Sequence, residues 1–150
     1  MNSKILVIAD ASIYGLEQVL GTIEKIHYAQ MRVRILLISR LTRPFIKNIG
    51  PNILGVLIKE EQDTLQRARD YFLRKDIPYD IKLISTSSWK AVFEEIEART
   101  DGLLILQGEF ATVWEKAHPS NYGLGEITGS ANPVWILKGS EESSAASVRP

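Results

Sequence analysis

Three runs of the chain are apolar with little or no polar alternation: residues 5–8, 33–38 and 103–106. A strand of that kind has no wet face, which is the signature of a parallel strand covered on both sides. Residues 80–84 and 133–137 read as two further strands. Between them the apolar period lengthens to three and four. Ser12 is placed to cap a helix in which Ile13, Leu16, Leu20, Ile23 and Ile26 share one side. Residues 60–75 put Leu65, Ala68, Phe72 and Leu73 on one side and are stopped by Pro78. After Ser88, the residues Trp89, Val92, Phe93 and Ile96 make a compact amphipathic helix whose other face carries Glu94, Glu95 and Glu97. Residues 40–55 read as a long structured loop, because Pro44, Gly50, Pro51 and Gly55 interrupt any helix while Phe45, Ile46, Ile49, Ile53 and Leu54 still require burial. Residues 110–122, with Trp114, also read as a loop.

Strands alternating with helices at this spacing imply βαβ crossovers. The predicted fold is α/β, a five-stranded parallel doubly wound sheet with the first strand central. One domain spans residues 1–138, and residues 139–150 have almost nothing to bury and read as a disordered tail.

Composition narrows the function classes. Of 150 residues, 18 are Lys or Arg and 18 are Asp or Glu, so no net positive field exists to hold a nucleic-acid backbone. The absence of cysteine removes disulfides, thiolate chemistry and the usual zinc sites, leaving His27 and His118 as imidazole ligands. The first apolar run is cut at Asp10, too short for a signal-peptide core, and no run reaches spanning length. The expectation is a cytoplasmic protein with neither a nucleic-acid nor a membrane partner.

Ligands of open parallel sheets bind beyond the carboxyl ends of the strands. Those ends offer Asp10 and Ser12, Ser39 and Arg40, residues 85–88, and Gln107, Gly108 and Glu109. Position alone leaves Asp10 with two roles, accepting hydrogen bonds from a ribose hydroxyl or fixing the turn into the helix. The start Lys4-Ile-Leu-Val-Ile-Ala-Asp-Ala-Ser12, the stretch Asp101-Gly-Leu-Leu-Ile-Leu-Gln-Gly108 and the ending Asn132-Pro-Val-Trp-Ile-Leu137 resemble, in order and spacing, three landmarks of the universal stress protein family. That likeness covers about residues 4–138. It implies the adenine nucleotide alpha hydrolase-like fold, with Asp10 and Ser12 near a ribose and Ile38 and Ser39 near an adenine. Members that bind ATP resemble one another in a G-x2-G-x9-G-[S/T] motif after the fourth strand, whose glycines let backbone N–H groups reach the phosphates. Gly108 matches the first glycine, Ala111 stands at the second, and Asn121 followed by Tyr122 stands at the last pair. Ala11 replaces another glycine common in the family.

The resemblance therefore implies a non-catalytic regulatory or stress-protective protein with an impaired or lost nucleotide site and no cofactor. One alternative is an ATP- or AMP-binding member with a divergent loop, for which Gly123, Gly125 and Gly129 would form the phosphate cradle. Another is a small-molecule enzyme on the same fold. A hydrolase triad lacks the G-x-S-x-G elbow, a receiver lacks the paired acids at strand one and the aspartate at strand three, and no dinucleotide fingerprint or Walker A sequence occurs. The glutamates at 60–61 and 94–97 read as solvated helical faces. Arg40, Arg43 and Lys47 sit in a stretch free of acids and are candidates for an anion or an acidic protein partner. Val134, Trp135, Ile136 and Leu137 form an apolar strand expected at the sheet edge, with no proline or charge to blunt it. Pairing with the same strand of a second copy would cover it, and the resemblance points the same way to a homodimer.

Overall fold

The computed structural model describes residues 2–26, 30–42, 50–84, 89–98, 102–117 and 134–137. Five strands, β1 (Asn2–Asp10), β2 (Gln30–Ile38), β3 (Tyr79–Ile84), β4 (Leu103–Gln107) and β5 (Val134–Leu137), form one sheet in the order β3-β2-β1-β4-β5. Every neighbouring pair is parallel, with Ile5 of the central strand beside Val33 on one side and Leu103 on the other. Helices α1 (Ile13–Glu24) and α2 (Pro51–Lys75) cover one face, and α3 (Trp89–Ala98) and α4 (Glu109–Ala117) the other.

Side-chain alternation explains the two layers. Ile5, Val7 and Ala9 of β1 point to the α1 and α2 side with Val33, Ile35, Leu37 and Ile105, where they meet Leu16, Val19, Ile23 and Phe72. Leu6 and Ile8 point the other way with Leu36, Ile38, Leu104 and Leu106, onto Val92, Ile96, Phe110 and Trp114. Each fully buried side chain of this size contributes about 1.5–3 kcal/mol. Aromatic contacts lock the second layer, with Phe93 5.1 Å from Phe110 and stacked on Trp114 at 5.8 Å. Arg34 breaks the apolar run of β2, and Glu95 of α3 and Asp80 of β3 bind its guanidinium. The Glu95 carboxylate raises its pKa above the usual arginine value.

Parts of the two expected loops, residues 51–55 and 110–117, are α-helical. Residues 51–59 belong to α2, since Pro51 occupies the first turn, where a missing N–H costs nothing, and the extended Gly50 precedes it with its carbonyl accepting from Leu54 N–H at 3.0 Å. Residues 109–117 form α4, because Phe110, Ala111 and Trp114 supply one buried side at helical spacing. At its far end α2 stops at Asp76, whose left-handed φ of 56° lets Ile77 N–H reach the Phe72 carbonyl at 3.0 Å. The expected tail and the part of the first loop at 43–49 lie outside the described residues, as do His27 and His118.

At 25 residues, α2 is more than twice the length of α3 or α4. Glu61 lies level with Ser39, the residue just past β2, through a 2.9 Å hydrogen bond. The ten residues of α2 before Glu61 add about 15 Å of helix on the N-terminal side of that contact.

A polar cluster ties α1 to α2 at the opposite end. The Tyr71 hydroxyl donates to the Glu24 carboxylate, and Lys75 Nζ lies 3.0 Å from it. These two partners, Tyr71 first, hold the Glu24 carboxyl below the ordinary carboxylate value, while burial and then Glu24 push the Tyr71 phenol above its own. A lowered carboxyl pKa stabilises the fold fully above the ordinary value and ceases to do so as pH falls through the lowered one. A raised phenol pKa stabilises below the ordinary tyrosine value and is lost as pH climbs through the raised one. Tyr71→Phe is expected to flatten the loss of urea midpoint between about pH 5 and pH 3. An acid limb identical to that of the unsubstituted protein would refute the coupling.

Candidate functional site

The carboxyl ends of β1, β2 and β4 converge on a crevice floored by backbone. At the end of β1 the chain turns sharply, Ser12 N–H donating to the Asp10 carbonyl at 2.8 Å and Ala11 N–H to the Ile38 carbonyl at 3.0 Å. Ser12 caps α1, its Oγ accepting from Gly15 N–H at 3.0 Å. Ile38 is fully buried, so its backbone and not its side chain faces the crevice. Asp10, Ser12, Ile38, Ser39 and Gly108 thus come together, whereas Asn121, Gly123, Gly125 and Gly129 lie outside the described residues.

Asp10 is engaged by the protein itself. Its Oδ1 accepts from Glu109 N–H at 3.3 Å, at the first residue of α4, where a helix N-terminus favours negative charge. Gly108 makes that approach possible. Its φ is 85°, and a Cβ there would lie 2.5 Å from the Asp10 carboxylate.

The glutamates of α2 are not a solvated face. Glu61 is buried, at 2 % exposure, and accepts from Ser39 Oγ at 2.9 Å and from Arg40 N–H at 2.8 Å. Glu60 accepts from Ile13 N–H at 3.1 Å, at the start of α1, and also binds the Arg40 guanidinium. The reason is hydrogen-bond accounting. Where β2 ends in the 3-10 turn Arg40–Thr42, Arg40 N–H lacks a ladder partner, as does Ile13 N–H at the head of α1. Glu60 and Glu61 are the first acids after a long basic stretch, and they supply both acceptors. Three carboxylates, Asp10, Glu60 and Glu61, are therefore held at the crevice with the Arg40 guanidinium. Arg40 is in the predicted position near the strand ends, with its Nε buried and without a hydrogen-bond partner. Arg43 and Lys47 lie outside the described residues. Of the other glutamate group, Glu95 is likewise taken up by Arg34.

Gln107, which the sequence offers only as a strand end without a role, is a bridge between elements. It is buried at the end of β4, accepts from Asp10 N–H at 3.1 Å and donates to Gln18 Oε1 at 3.0 Å. Gly15 makes room for it, since a Cβ there would stand 2.6 Å from Gln107 Oε1. A glycine in the first turn of an amphipathic helix, where alanine would serve better, was the available signal.

At the sheet edge, Val134 is buried against the α3 and α4 layer, Ile136 packs partly on the same side, and Trp135 is 42 % exposed. Leu137 packs partly on the opposite layer.

The class of protein is thereby defined. It is a doubly wound α/β domain with a five-stranded parallel sheet, and its topological switch point lies between β1 and β4. A crystal structure of a protein from the universal stress protein family of Burkholderia pseudomallei is similar to the chain, with a TM-score of 0.47 and 17% identity over 91% of this chain and 96% of that one. The fold class rests on the strand order and register of the chain itself, not on that likeness. No protein-family model matches the sequence. No curated protein matches it either.

Gly108→Ala is expected to destabilise the fold by about 1–3 kcal/mol, through a strained φ and a collision with Asp10. Urea denaturation measures it. A change below about 0.5 kcal/mol would show that the turn relaxes freely.

Proposed function

We propose that this chain is a universal-stress-protein-like regulatory or stress-protective factor that catalyses no reaction and whose nucleotide crevice is closed by its own side chains. The observation that carries the proposal is the Glu60 carboxylate on Ile13 N–H. The N-terminus of a helix beside the switch point is where a phosphate group is most favoured, and here a carboxylate already fills that role. Glu61 does the same at the end of β2, taking the Arg40 N–H and the Ser39 hydroxyl from any adenine placed there. Asp10, expected near the ribose by resemblance, is turned to the head of α4. A polyphosphate would also meet the carboxylates of Asp10, Glu60 and Glu61 along this edge, with the Arg40 guanidinium already bound by Glu60, an unfavourable field. The replacement of motif glycines by Ala111 and Asn121 supports the same reading from the sequence. One observation favours the alternative of a divergent ATP or AMP site: the buried Arg40 Nε has a free donor that an anion would satisfy.

Assembly belongs to the same proposal. An edge strand with an exposed tryptophan is a template for pairing, and a second β5 running antiparallel across a two-fold axis would cover it.

Calorimetry with magnesium and ATP on the full chain is expected to show no binding tighter than about 10 μM, the equivalent of some 7 kcal/mol. Tighter binding would establish the divergent site. Light scattering at micromolar concentration is expected to give a dimer that Trp135→Glu converts to a folded monomer, and a monomeric unsubstituted protein would remove the edge pairing.

A further inference from the structure

β3 forms the edge of the sheet opposite β5, and its inward hydrogen bonds fix which of its backbone groups face outward. Val33 N–H donates to the Pro78 carbonyl at 3.0 Å and Ser39 N–H to the Ile84 carbonyl at 2.8 Å, both towards β2. Backbone groups of successive strand residues point to alternate sides, so Asp80 and Lys82 also face β2. Tyr79, Ile81 and Leu83 therefore turn their N–H and C=O groups away from the sheet. No strand pairs with them among the described residues.

The side chains alternate with the backbone. Asp80 and Lys82 stand on the face covered by α3 and α4, in register with Arg34 and Leu36, and both are exposed. Tyr79, Ile81 and Leu83 stand on the other face, Tyr79 stacked on Phe72 at 5.7 Å and Leu83 39 % exposed. Asp80 and Glu95 both bind the Arg34 guanidinium, two carboxylates to one cation, which leaves a negative charge in excess. Lys82 has neither an ion pair nor a hydrogen bond of its side chain among the described residues. A second copy supplies what each lacks.

The charges also select a register. A charged edge strand normally repels an incoming one, but an acid placed two residues before a lysine makes this strand complementary to itself when run antiparallel. A two-fold axis at Asp80 sets Asp80 against Asp80, and an axis at Lys82 sets Lys82 against Lys82, like charges in both cases. An axis at Ile81 sets Asp80 of each copy against Lys82 of the other, on the same face and in the closely spaced pairs of an antiparallel ladder. It also sets Tyr79 against Leu83, and every outward N–H and C=O from Tyr79 to Leu83 finds a partner.

We propose that β3 is a self-recognition edge, to which a second copy adds its own β3 antiparallel across a two-fold axis at Ile81. Exposed ion pairs contribute little affinity each, so the contact is weak and the charges act chiefly to fix partner and register. It lies at the far edge from β5 and does not depend on pairing there.

The Trp135→Glu chain isolates this edge, whether or not β5 pairs in the unsubstituted protein. Sedimentation equilibrium is expected to show its mean mass rising from that of a monomer at about 10 μM towards that of a dimer at about 1 mM, and falling again with added salt. In that background Lys82→Glu makes the edge acidic and Asp80→Lys makes it basic. Each alone is expected to remain monomeric at about 1 mM with an unchanged circular dichroism spectrum, and an equimolar mixture of the two is expected to regain the dimer. A Trp135→Glu chain that stays monomeric to about 1 mM would overturn the proposal, as would Lys82→Glu protein that associates equally well, or a mixture of two folded variants that stays monomeric. Should Asp80→Lys fail to fold for want of its Arg34 pair, the Lys82→Glu comparison decides alone.

Discussion

The constraint on which the molecule depends is that a parallel sheet must be covered on both faces. β1 is the centre of that requirement, with a hydrogen-bonded neighbour on each side and buried side chains pointing alternately to two helical layers. Each crossover lays a helix on one face, and the right-handed sense of such connections leaves α1 and α2 together on one side and α3 and α4 on the other. The same arrangement brings the carboxyl ends of β1, β2 and β4 to one edge, where the strand order reverses. The crevice is thus a consequence of the core.

At that edge the main problem is polar. Strands end, helices begin, and backbone N–H groups emerge without ladder partners. In a nucleotide-binding sheet some of those donors are left for the ligand. Here Glu60, Glu61, Asp10 and Gln107 take up four of them, at Ile13, Arg40, Glu109 and Asp10. Those four donors need no ligand, which is the physical basis of the proposal that this chain regulates or protects by contact and not by chemistry.

The long helix α2 joins the crevice to the core. Its middle is anchored by Glu61, its last turns pack Ala68 and Phe72 into the core, and its first turns expose Ile53, Val56 and Ile58. Glu61 anchors the helix at the end of β2, while Ile53 and Val56 near its start are exposed.

The strands and the amphipathic helices were legible in the sequence because their signals are local. A two-sided apolar run such as residues 5–8 admits few alternatives, and the spacing of Leu16, Leu20 and Ile23 fixes a helical side without knowledge of its partner. Parallel order and a central first strand were read from the alternation of strands with helices and from the two-sided apolar runs of the first, second and fourth strands. The sequence by itself also determined that Asp10, Ser12, Ser39 and Gly108 would share one edge. It did not determine the state of that edge. Whether a glutamate on α2 is a solvated charge or a buried acceptor depends on which N–H groups another element leaves open, and that is set by the height at which the helix docks. The helical state of residues 51–59 and 109–117 was hidden for a related reason. Pro51, Gly55 and the short apolar pattern of α4 are locally ambiguous, and only packing against the sheet and the turn at Gly108 decides them. Tertiary structure alone decided that Gln107 would bridge β1 and α1, since residues 89 apart in sequence meet there, and no local pattern encodes a hydrogen bond between elements whose separation the whole core must set.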